Sequence, residues 1–289
     1  MTPKDIIAQT KTLFSLPDVA IQINELMARP DTTNLDLADI ISHDPALAAQ
    51  LLKLVNSAYF GLPSKIETIS QAITLIGHKE LETLVIATSA VSTFKDIPEH
   101  LVDMETFWFH SVTTGIICRM IGHMRNISGK EQLFISGLLH KVGKLIFYSQ
   151  YPAESLRILQ YIDEGEEAMA AAEQNAFGFT HAELAGALFK DWKLPDIYHK
   201  TIAHYLYPSK TVDPSNATAA LHVASNLANI IEPGVKKKRT SDKITPAHDP
   251  KTWNVIHLTD DEINEIEEQS IGQTMEILEI VKPGFGLIF

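Results

Sequence analysis

The chain has 289 residues, 45% of them hydrophobic, which is enough for one large core or two modest ones and argues against wholesale disorder. Its 24 basic and 36 acidic residues give a net charge of −12, which argues against a nucleic-acid surface as its main business, since phosphate binding wants clustered positive charge. The single cysteine, Cys118, excludes an internal disulfide, no apolar run reaches the roughly 18 residues of a membrane span, and the first residues do not form a signal peptide, so the expectation is a soluble, cytoplasmic protein.

Helical periodicity runs through almost every segment. Val19, Ile23 and Leu26 fall on one face, as do Leu37, Ile40 and Ile41. Asp44 and Pro45 read as an N-cap followed by proline at the first helical position. The helix they open carries Leu47, Leu51, Leu54 and Val55 and stops after Asn56 and Ser57, near Gly61. A short helix over 70–75 is broken at Gly77-His78, and another begins around Leu81. Pro98 marks a subdomain boundary, so the expected divisions are 1–97, 98–231 and 232–289.

The second block opens with a long helix over 105–124 that carries His110. Ser128 and Glu131 read as a capping box for the next helix, whose stretch from Phe134 to Leu145 is apolar on nearly every side. Ser136, Gly137 and Gly143 are small enough for neighbouring helices to come close, and His140 and Lys141 stand side by side among the apolar residues. Thr180 and Glu183 predict another capping box, with His181 in the first turn, and His204 follows on the helix after Pro195. Asp213-Pro214 predicts the start of a helix ending near Ile231. Residues 232–253, with a basic run at 236–239, read as a solvated loop. Thr259 and Glu262 cap a terminal helix reaching about Val281. No strand pattern appears, and the predicted fold is all-α.

His110, His140, His181 and His204 fall on four different predicted helices, each with an apolar face. They can converge on one pocket, as metal ligands do inside helical bundles. They can equally be four unrelated core histidines, and with 12 histidines in the chain spacing alone favours that reading.

Several stretches together resemble the HDOD family, an offshoot of the HD-domain metal-dependent phosphohydrolases. They are Leu16-Pro17, the run from Ile40 to Leu47 including Asp44 and Pro45, the run from Leu51 to Ala58 including Asn56 and Ser57, and Ala72 to Gly77. In the second half they are Trp108 to Ser111, Gly137 to His140, Phe177 to His181 and Trp192 to Pro195. The resemblance covers about residues 10 to 230 and implies a multi-helical HD-like bundle with an N-terminal helical subdomain. It also implies the residues of a metal pocket, and here the chain departs from the pattern. Lys141 stands where catalytic HD domains have the aspartate of the His-Asp pair. Ser225 falls at the late aspartate, and Tyr205 follows His204 where many relatives have a second histidine.

A hard divalent cation needs those carboxylates, and a lysine, protonated at neutral pH, offers it no lone pair. The expectation is therefore a vestigial pocket formed by His110, His140, Lys141, His181, His204 and Ser225, without metal, cofactor or catalytic residue. Lys141 is expected to reach solvent or pair with a carboxylate such as Glu173; Lys141 and Lys144 together are candidates for holding an anion such as a nucleotide phosphate. Asp44, Pro45, Asn56 and Ser57 are candidates for a partner surface, although Asn and Ser at a helix end more often satisfy free backbone groups. The resemblance implies a bacterial signal-transduction or gene-regulatory protein that acts on protein partners, without direct contact to nucleic acid or membrane. The alternatives are a residual phosphohydrolase using the four histidines and a nucleotide-sensing module.

Overall fold

The structure is a computed structural model that describes residues 1–10, 13–57, 60–94, 97–210, 215–231 and 249–281. Every regular element among the described residues is helical. The chain divides into two compact units: Thr12–Lys95 with Gly272–Phe289, and Met1–Lys11 with Asp96–Ile271.

The first of these units holds α2 (Asp18–Met27), α3 (Asn34–Ser42), α4 (Pro45–Val55), α5 (Ile69–Ile76) and α6 (His78–Thr93), while α1 (Pro3–Thr10) belongs to the other unit. Its helices are short because their ends are written locally. Asp44 accepts from the backbone N–H groups of Ala46 and Leu47, at 3.1 and 3.0 Å, with Pro45 in the first turn of α4. Thr33 with Asp36 and Thr68 with Gln71 close capping boxes on α3 and α5. Leu37, Ile41, Leu51, Leu54, Val55, Ile73 and Leu84 form the core, with α6 packed against α2, α4 and α5. Gly77, at φ 83°, ends α5 and starts α6, a backbone conformation that costs a residue with a Cβ.

The larger unit continues with α7 (Met104–Met124), α8 (Lys130–Leu139), α9 (Val142–Gln150), α10 (Pro152–Leu159), a 3-10 turn at Ile162–Glu164 and α11 (Glu166–Phe177). Then come α12 (His181–Asp191), α13 (Asp196–His204), a 3-10 turn at Pro208–Lys210, α14 (Asn216–Ile231), α15 (Pro250–Val255) and α16 (Asp260–Val281). The unit boundary falls inside α16. Buried positions run without interruption from Phe107 to Cys118, so α7 is enclosed on all sides, by α8 and α14 among others. The α7–α8 contact is backbone on backbone: a Cβ added to Gly137 would stand 2.5 Å from Gly115 Cα. Gly143 does the same for α9 and α12, since its Cβ would lie 2.0 Å from the His181 carbonyl oxygen. Overpacking of that kind costs about 1–3 kcal/mol or more.

Of four sequence expectations, three need correction and one, the helix start at Asp213-Pro214, falls outside the described residues. The stretch from Phe134 to Leu145 is two helices: α8 ends at Leu139, and α9 starts at Val142. His140 makes the corner, because its ring Nδ1 takes the Gly137 carbonyl at 2.6 Å. A side chain that satisfies an end carbonyl favours stopping the helix there. Second, α8 is not capped by Ser128. Gly129, left-handed at φ 77°, is the N-cap and delays the helix to Lys130. Third, Asp213 and Pro214 lie outside the described residues, and α14 is opened by Ser215, whose Oγ accepts from Thr218 N–H at 3.2 Å. Fourth, α15 takes up part of the expected loop. Thr252 within it and Ile256 just past its end are buried, and the Asp249 carbonyl receives the Thr252 N–H at 2.9 Å. The basic run at 236–239 lies outside the described residues. The boxes at Thr180–Glu183 and Thr259–Glu262 form as expected.

Candidate functional site

Six helices and one corner of the larger unit bring a cluster of polar side chains together. His110 comes from the middle of α7, His140 and Lys141 from the α8–α9 corner, and Lys144 from the first turn of α9. Glu166 opens α11, and Glu173, seven residues on, lies two turns along the same face. His181 opens α12, Tyr205 ends α13, and Ser225 lies within α14. The bare backbone at Gly143 lets the corner come against the start of α12.

The cluster contains two linked networks. In the first, Lys141 Nζ lies 2.7 Å from Glu166 Oε2, and Lys144 Nζ 2.8 Å from Glu166 Oε1. One carboxylate thus bridges two ammonium groups. Burial alone would raise the pKa of Glu166, but Lys141 and then Lys144 outweigh it and hold the carboxyl well below its usual range. Burial likewise works against the charge of Lys144, yet Glu166 carries its pKa above the ordinary lysine value. In the second network Glu173 Oε2 accepts from both the ring Nδ1 of His181, at 2.7 Å, and its backbone N–H, at 2.8 Å. That fixes the His181 ring and turns Nε2 to Tyr205 Oη at 2.8 Å, with Glu166 Oε1 at 3.4 Å. Burial, followed by the charges of Glu166 and Glu173, pushes the Tyr205 phenol well above 10, so it keeps its proton and donates to His181.

His140 is fully buried. Its Nδ1–H is committed to the Gly137 carbonyl, so Nε2 accepts from Ser225 Oγ at 3.2 Å. Burial first and the Lys141 charge second press its pKa well below 6.5, and the same two causes act in the same order on His110. Both rings are neutral near pH 7. His110 stacks loosely on His140, with centroids 5.4 Å apart, and its Nδ1 has no hydrogen-bond partner. A cavity of about 400 Å³ opens beside them, lined by His110, Lys141, Lys144 and Glu166 and by apolar residues including Phe107 and Met169.

Of the residues expected in the pocket, His110, His140, Lys141, His181 and Ser225 meet. His204 does not. It is exposed, while Tyr205, one position and about 100° further round the chain, points inward. Lys141 pairs with Glu166, and the carboxylate expected for it, Glu173, is held by His181 instead. Lys144 does stand beside Lys141, but the anion between them is the protein's own. Sequence reading missed Glu166. Its only signal was the Glu166–Glu173 spacing on one face of an otherwise alanine-rich helix.

The residues do not fit a divalent cation. The lone pairs of His140 and His181 face hydroxyl donors, and Glu166 is bound to ammonium groups. Among the described residues no three His, Cys, Asp or Glu side chains are arranged to hold a metal ion. Repulsion between unit charges 4 Å apart is about 4 kcal/mol at an effective dielectric of 20 and doubles for a divalent ion. Two lysines flanking Glu166 make that repulsion larger than a lone carboxylate offsets.

The remaining candidates lie in the smaller unit. Asp44 and Pro45 form the cap of α4. Asn56 stitches a turn: Nδ2 donates to the carbonyls of Leu52 and Ile66 at 2.7 and 2.8 Å, and Oδ1 accepts from Ile66 N–H at 2.7 Å. Ser57 is buried, and its Oγ has no hydrogen-bond partner. Three of the four thus act on local backbone. No helix among the described residues is long and apolar enough to cross a membrane.

The HDOD domain family model matches residues 13–208. An uncharacterized protein of Treponema pallidum (strain Nichols) is 27% identical over 219 residues, 70% of this chain, which spans only 42% of that protein's length. A crystal structure from Shewanella amazonensis SB2B, provisionally named a phosphohydrolase, is 24% identical, with a TM-score of 0.75 over 96% of this chain and 97% of that one. One from Marinobacter aquaeolei VT8, provisionally named a signal transduction protein, is 20% identical, with a TM-score of 0.66 over 94% of this chain and 60% of that one. Both share its helical fold.

Proposed function

This chain belongs to the HDOD family, and we propose that within it the protein is a non-catalytic, cytoplasmic regulator that passes a signal by protein–protein contact. The observation that carries this reading is the bridge from Lys141 and Lys144 to Glu166 in the HD-like pocket. Positive charge fills the place where a hydrolase would bind its cations, and the carboxylate nearest it is already taken. A catalyst of the two-metal kind needs adjacent cations and a water whose pKa they lower. Here the nearest bases are two neutral histidines under the influence of Lys141. What remains is a polar keystone that fixes α7, α8, α9, α11 and α12 around one another, which suits a scaffold for partner binding.

The names of the two similar crystal structures point in both directions, one to hydrolysis and one to signalling. Metal analysis and activity assays separate the two. Protein purified without chelator is expected to carry substoichiometric Mn, Fe, Ni and Zn and to leave phosphodiesters and nucleotides intact. Stoichiometric metal together with hydrolysis that disappears in His140→Ala would overturn the reading and restore an enzyme. Cross-linking in the native cell should capture a protein partner on the unaltered chain, and capture of none would count against the reading.

A second reading, in which the protein senses a ligand such as a nucleotide, is favoured by the cavity beside Lys141 and Lys144.

A further inference from the structure

Glu166 sits between two lysines in a place that any oxyanion could fill, and three features set it apart from an ordinary ion pair. First, one carboxylate serves two ammonium groups, its Oε2 lying 2.7 Å from Lys141 Nζ and its Oε1 2.8 Å from Lys144 Nζ. Second, the cavity of about 400 Å³ opens on the same two lysines, and His110, itself only 4% exposed, lines it with an unpartnered Nδ1. The Thr114 hydroxyl donates to the His110 carbonyl at 2.8 Å, so the proton on this ring belongs on Nε2, which faces Thr114 Oγ1 at 3.4 Å. Nδ1 is then a bare acceptor awaiting a donor. Third, Glu166 stands at a joint. Gly165 has φ 98° with open space where a Cβ would be, and the residues before it, Tyr161 to Glu164, are exposed.

We propose that Glu166 is a tethered occupant of a binding site for a small amphipathic oxyanion, and that such a ligand displaces it. The ligand's carboxylate or phosphate monoester would bridge Lys141 and Lys144, an N–H or O–H on it would meet His110 Nδ1, and its apolar body would lie against Phe107 and Met169. The exchange substitutes one anion for another, so the buried lysines stay paired and Glu166 regains water. The gain comes from the cavity that Glu166 leaves unfilled. As Glu166 leaves, the 3-10 turn at Ile162–Glu164 shifts with it, carrying Tyr161 and Ile162, which are 43% and 60% exposed. The proposal rests on the regulatory reading above and supplies it with an input, a ligand that reshapes an exposed segment.

Titration calorimetry of the full chain with inorganic phosphate, benzoate and a nucleoside 5′-monophosphate tests it, the last two separating a carboxylate from a phosphate head. A tethered competitor lowers apparent affinity by the fraction of time the site is open, so Glu166→Gln should bind at least one organic probe roughly tenfold more tightly than the unaltered chain. Adding Lys144→Met should abolish that gain. If Glu166→Gln binds no probe more tightly, or the gain survives Lys144→Met, the proposal fails. Should Glu166→Gln not fold, hydrogen exchange on the unaltered chain decides: a saturating probe should speed amide exchange over 161–168, and unchanged or slower exchange, or no probe that binds, overturns the displacement. A native partner that binds the unaltered chain and Glu166→Gln equally would sink this inference while leaving the regulatory reading intact.

Discussion

Two turns in this protein are fixed by side chains, and they are built on opposite principles. After α4, Asn56 makes three neutral hydrogen bonds of 2.7–2.8 Å, one to its own helix and two to Ile66, ten residues away. At the α8–α9 corner, His140 keeps one local bond, to the Gly137 carbonyl, while its other contact and that of Lys141 lie far along the chain: His140 to Ser225, 85 residues on, and Lys141 to Glu166. The first device is exposed and uncharged, and its loss is local. The second is buried and ionic, so each member depends on groups contributed by other helices. Charge in a core is stable only while every partner is present.

The sharpest break of that contrast is Glu166→Ala. It leaves Lys141 and Lys144 buried without the carboxylate between them, and removing one partner of a buried ion pair costs about 3–5 kcal/mol. Urea unfolding should show the loss, and a loss under about 1 kcal/mol would mean that water reaches the lysines freely.

Acid comes next. His110 and His140 are held neutral with pKa values well below 6.5, by burial and then by Lys141, and His222 is lowered too, mainly by burial. Below pH 6.5 the unfolded chain binds protons that the folded one refuses, so stability falls as the pH drops, by up to about 1.4 kcal/mol per pH unit for each such histidine. Glu166 does not act in this window, because a depressed carboxylate loses its contribution only below about pH 4.5. Urea midpoints at pH 7 and pH 5.5 measure the slope; a flat profile would contradict the neutral assignment.

Asn56→Ala should cost about 1–3 kcal/mol, because it leaves the Ile66 N–H and carbonyl without their side-chain partner. His204→Ala is the smallest change, within roughly 0.5 kcal/mol, as for most exposed positions. A loss near that of a core histidine would place His204 back among the pocket residues.

What could be read from the sequence follows the same division. The caps at Asp44, Thr180 and Thr259 involve partners within three residues, and the chain order displays them. The small residues Gly137 and Gly143 signalled close packing without saying against what. The choice between His204 and Tyr205 turned on the rotational phase at the end of a nine-residue helix, where one position decides inside from outside. The pairing of Lys141 with Glu166 rather than Glu173 turned on which of two carboxylates a distant backbone N–H, that of His181, would claim. No local pattern carries that information.

The glycine pair has a mechanical corollary. Gly115 and Gly137 stand back to back, so at that point backbone meets backbone across α7 and α8. Close-packed interiors transmit strain instead of absorbing it. Any side chain larger than hydrogen at either glycine would therefore have to pry the two helix backbones apart.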